Sequence, residues 1–63
     1  MSISIDPYDA EHVGDVMRTG THWTAHLLRL IAKSDVEHRE ALRQCFPDHV
    51  EAWERWMIRG DQP

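Results

Sequence analysis

Four side chains in this chain have the types and spacings of metal ligands or of a nucleophile and its base. His22 and His26 stand four residues apart, which sets both imidazoles on one face of a helix, and Cys45 precedes His49 by the same interval. Zinc is held tetrahedrally by thiolate and imidazole, so the set is chemically suitable. Pro47 lies between Cys45 and His49, however, and breaks the one-face geometry that the spacing would otherwise give. A single cysteine with three histidines is also an uncommon ligand set. The residues therefore favour His22 and His26 as solvated and Cys45 as a small buried hydrophobe, with no metal and no cofactor. Cys45 with His49 is also the one nucleophile–base candidate, and it lacks an orienting third group. There is no glycine-rich phosphate loop and no carboxylate pair that stands apart from helix caps. The expectation is a protein that is not an enzyme.

A second pattern is electrostatic. His22, His26, Arg29 and Lys33 recur at steps of four, three and four, forming a basic stripe along one helix. Trp23, Leu27, Leu28, Leu30 and Ile31 occupy the opposite, apolar arc. Arg39 and Arg43 follow on the next helix, and two helices joined by a tight turn suggest an alternative function. In that alternative the chain is a helix-turn-helix-like DNA-binding regulator, with Arg39, Arg43 and Gln44 reaching bases. Eleven acidic against seven basic side chains, a formal net charge of −4, weigh against nucleic acid as a partner. The acidic neighbours of Arg39, namely Asp35, Glu37 and Glu40, weigh the same way.

These residues must be carried by helices, and the helix boundaries are legible. Asp6-Pro7 reads as an N-cap followed by proline at the first helical position. Ala10, Val13, Val16 and Met17 give that helix its apolar stripe, Gly14 weakens it, and Gly20 is placed to end it. Thr21 can cap a second helix that runs to about Lys33. Ser34 and Glu37 have capping-box spacing, which starts a third helix running to about Phe46. Asp35 with Arg39 and Glu51 with Arg55 stand four apart with the acid first, the favourable order. Pro47 interrupts the third helix, and Asp48 is placed to cap a last helix carrying Val50, Trp53, Trp56 and Met57, which Gly60 stops. The expected fold is all-α, a single-domain bundle of three or four short helices over residues 1–63. Residues 1–5 are expected as a flexible arm and 61–63 as a tail. The expected core is Val16, Met17, Trp23, Leu27, Leu30, Ile31, Leu42, Phe46, Val50 and Trp53.

Size and composition narrow the function. A chain of 63 residues allows one small domain, and one cysteine allows no internal disulfide. That leaves good packing or a partner subunit as the source of stability. The start, MSISIDPYDAEH, lacks the basic and apolar segments of a signal peptide. No apolar run approaches the length of a membrane span. A lone cysteine fits a reducing compartment, so a cytoplasmic location is expected. Three tryptophans are many for so short a chain, and each carries about 150–250 Å² of surface to hide. Trp53, Trp56 and Met57, at helical spacing, read first as core, and whatever a core this small leaves exposed of them is the expected protein interface; the two are not exclusive in a small dimer. The expected partners are an unidentified protein and a second copy of the chain, as a homodimer.

The blocks HWTAHLLRLIAKSD and FPDHVEAWERW, residues 22–35 and 46–56, resemble a group of short helical proteins of actinobacterial phages and their hosts. The resemblance implies a phage or mobile-element accessory protein that binds a host or phage protein or regulates transcription. It implies no activity and maps no functional residue.

Overall fold

The computed structural model describes residues 4–59. The expected tail at 61–63 and the first three residues of the expected arm lie outside them. Five α-helices follow one another with short connections: α1 Pro7–Glu11, α2 Val13–Thr19, α3 Trp23–Lys33, α4 Val36–Cys45 and α5 Pro47–Ile58. There is no strand among the described residues, so the all-α expectation holds. The number of helices among the described residues is five rather than three or four.

The extra helix arises at His12, inside what the sequence reads as one element. Its imidazole Nδ1–H donates to the Tyr8 carbonyl at 2.8 Å, the acceptor that the His12 amide would use in a continuous helix. The amide turns instead to the Asp9 carbonyl at 3.3 Å. The Tyr8 and His12 rings stack with centroids 4.0 Å apart. Side chain thus outcompetes backbone, and the chain bends there at φ −128°, ψ 40°.

The other boundaries are helical ends built differently from the expected caps. Asp6 caps α1 as expected, its carboxylate accepting from the Tyr8 amide. His22, not Thr21, is the N-cap of α3. Ser34 does not cap α4: its hydroxyl donates backward to the Leu30 carbonyl, satisfying an acceptor left open at the end of α3. Asp35 takes the cap, its Oδ1 accepting from the His38 amide and from His38 Nδ1, each at 2.8 Å. In α5, Phe46 is the N-cap and Pro47 the first helical residue, with Asp48 in the first turn rather than at the cap. Gly20 ends α2 with φ −71° and ψ 147°, ordinary extended backbone. It is glycine for lack of room: a Cβ there would lie 2.6 Å from the Val16 carbonyl oxygen and 2.9 Å from the Ala25 Cβ.

The core joins α2, α3 and α5 around Val13, Val16, Leu28, Ile31 and Val50, with Ala25, Leu27, Ala52 and Trp53 completing it. Of the expected core, Val16, Leu27, Ile31, Val50 and Trp53 are buried, while Met17, Leu42 and Phe46 pack partly against it. Trp23 and Leu30 are corrections, at 52% and 51% exposed. The apolar arc of α3 is wider than the core can cover, and its far edge is left bare. Ile5, expected in a loose arm, packs partly against the core. No helix among the described residues is long and apolar enough to cross a membrane.

Candidate functional site: the cleft between α3 and α4

The bare edge of α3 has a physical cause. α4 packs principally on α5, and its Leu42 lies partly against the core. Arg39 lies over the Trp53 ring, 4.9 Å from its centroid. Arg43 bonds Glu54 of α5 and Glu40 of its own helix; these carboxylates hold the guanidinium pKa above its ordinary value. With α4 tied to α5, the space between α3 and α4 stays open. No residue of α4 is fully buried. The result is a cleft of about 560 Å³, within the range of ligand-binding clefts. Leu30, Ala41 and Leu42 supply its apolar lining, and Lys33, Asp35 and His38 its charged and polar groups. At the other end of the same α3 edge, Trp23 meets Phe46 and His49 with ring centroids 5.6 Å apart in each pair.

The basic stripe is divided by its partners. Arg29 points inward and donates from Nε to the Met17 carbonyl at 2.7 Å and from Nη2 to the Gly20 carbonyl. It therefore closes the C-terminal end of α2 with charge-assisted hydrogen bonds. His22 donates from Nε2 to Asp9 Oδ2 at 3.1 Å, a clasp between α1 and the start of α3 in which the carboxylate is nearly buried. His26 and Lys33 stay exposed, so the four residues do not act as one surface.

The possible metal ligands are dispersed in the same way. His49 is buried beside Trp23 and Phe46, His22 is held by Asp9, and Cys45 is exposed rather than buried. No cluster of three or more His, Cys, Asp or Glu side chains is arranged for a metal among the described residues. His49 Nδ1 and Trp53 Nε1 are buried with no hydrogen-bond partner among the described residues. Burial lowers the His49 pKa from its ordinary value, partly opposed by the Asp48 and Asp9 carboxylates.

The expected aromatic interface is also split. Trp53 belongs to the core, under Arg39. Trp56 is half-buried and comes close to α2, where a Cβ on Gly14 would lie 3.0 Å from its indole nitrogen. Only Met57 of the three is exposed, with Ile58 beyond it. Sequence reasoning missed the cleft because its residues come from the edges of two helices, each ordinary alone. The one available signal was an α3 apolar arc too wide for a small core. No protein-family model matches the chain, nor does any curated protein or solved structure.

Proposed function

We propose that this chain is a non-enzymatic protein-binding module that takes apolar side chains of a protein partner into the α3–α4 cleft. The observation that carries the reading is Leu30, half exposed on the wall of an open cleft whose apolar lining continues through Ala41 and Leu42. Two facing helices with an apolar trough between them suit an amphipathic segment laid into the groove. The DNA-binding alternative has less support, because Arg39 is stacked on Trp53 and Arg43 is held by two carboxylates. Reaching a base would require both arginines to give up these contacts. The resemblance to phage proteins supports an accessory role on a host or phage protein in the cytoplasm.

The reading is tested by affinity capture from cells that make the protein, using wild type, Leu30→Glu and Met57→Glu. Both substituted positions are about half exposed, so each charge can be solvated without dismantling the core. Bound protein is expected with wild type and Met57→Glu and lost with Leu30→Glu. Loss with Met57→Glu alone would move the contact surface to the last helix.

A further inference from the structure

The cleft carries the two charges that a copy of itself would need. Lys33 is the sole lysine of the chain, and it makes no ion pair among the described residues, whereas Arg18, Arg43 and Arg55 each bind a carboxylate. Asp35, on the same cleft, uses Oδ1 for the His38 amide and ring. Its side chain is 65% exposed, which leaves Oδ2 accessible. A two-fold interface brings residue i of one copy to residue j of the other, and j to i. A patch of one sign repels its copy in that arrangement. A patch with one unpaired cation beside one accessible carboxylate attracts it.

Shape follows the same logic. Ala41, with its small side chain, leaves room in the cleft lining, while Leu30 of the same lining is 51% exposed. One patch thus presents both a hollow and an apolar projection, Leu30, to fill it.

We propose that the occupant of the α3–α4 cleft is a second copy of this chain, related by a two-fold axis. Leu30 of each copy enters the other's cleft beside Ala41, and Lys33 of each pairs with Asp35 of the other. This rests on the reading of the cleft as a protein-binding site and names its partner. The charge of −4 on each copy opposes association at low salt and is screened over about 8 Å at physiological ionic strength. Association is therefore expected in moderate salt, where that repulsion is screened.

Sedimentation across a dilution series in moderate salt, with wild type, Leu30→Glu and Met57→Glu, reads the association. A zero-length amine-to-carboxylate cross-linker on a mixture of isotope-labelled and unlabelled wild type reads the register, because Lys33 is the only side-chain amine. The expected result is a wild-type and Met57→Glu dimer, weakened about tenfold or more by Leu30→Glu. Cross-links are expected from Lys33 of a labelled copy to Asp35 of an unlabelled one. The wild-type cross-link stands even if Leu30→Glu fails to fold. A wild type that stays monomeric at millimolar concentration overturns the inference, as does a dimer broken by Met57→Glu and indifferent to Leu30→Glu. If the monomer still captures another protein in a Leu30-dependent way, the second copy is excluded and the binding reading stands. If that capture fails too, both fall.

Discussion

His49 is the residue whose environment differs most from its sequence appearance. It follows Pro47 and Asp48 in the first turn of α5, where a polar residue would ordinarily face water. It is instead 1% exposed, edge to face with Trp23 and Phe46. Burial holds its pKa below 6.5, with Asp48 and Asp9 the carboxylates that partly offset the shift. Above pH ~6.5 neither the folded nor the unfolded imidazole is charged, and the folded state has its full stability. As pH falls below that, the unfolded chain takes up a proton that the folded chain resists, so stability declines until the folded pKa is reached. The thermal midpoint is expected to drop between neutral and mildly acidic pH, and His49→Leu should flatten the drop. Equal slopes for wild type and variant would show that the imidazole is not the cause. Asp35 responds at lower pH. The His38 amide and ring hold its carboxyl below 3.8, so its contribution is present above that value and lost as pH falls through the depressed one.

At the scale of elements, α3 shows how neighbouring residues with the same chemistry part company. Ile31 is fully buried and Leu30 half exposed, one position apart. Ile31→Ala should cost about 2–5 kcal/mol, since it removes buried methyls and leaves a cavity. Leu30→Ala should cost well under half as much and act mainly on binding. Denaturant unfolding of the two variants checks the contrast, and similar losses would mean that Leu30 is packed as tightly as Ile31. Periodicity made α3 and its buried stripe legible, because a helix with so marked an apolar side has to bury it. It could not place the edge of the stripe, which depends on where α4 docks. The caps were legible to within a residue or two, and their misses are local competitions. Ser34 and Asp35 both qualify as caps by type, and the carboxylate is taken because the hydroxyl closes the preceding helix. The break at His12 was not legible, since an imidazole capturing the Tyr8 carbonyl is a matter of side-chain reach. Arg39 was expected to pair with Asp35 and lies on Trp53 instead, a contact between helices that spacing within one helix does not reveal.

At the scale of the whole molecule, the described residues form a body with a radius of gyration of 10.8 Å, close to the ~11 Å expected of a chain this long. The cleft is therefore not a sign of loose packing. It exists because α4 packs principally on α5, with Arg39 over Trp53 and Arg43 bonded to Glu54. The surface tested most directly is this cleft against the end of α5. Amide chemical shifts of the isotope-labelled chain, followed while an excess of its captured partner or of unlabelled chain is added, separate the two. Changes are expected at Leu30, Lys33, His38, Ala41 and Leu42, with Met57 and Ile58 unmoved. Changes confined to Met57 and Ile58 would contradict the account and place the contact on the last helix.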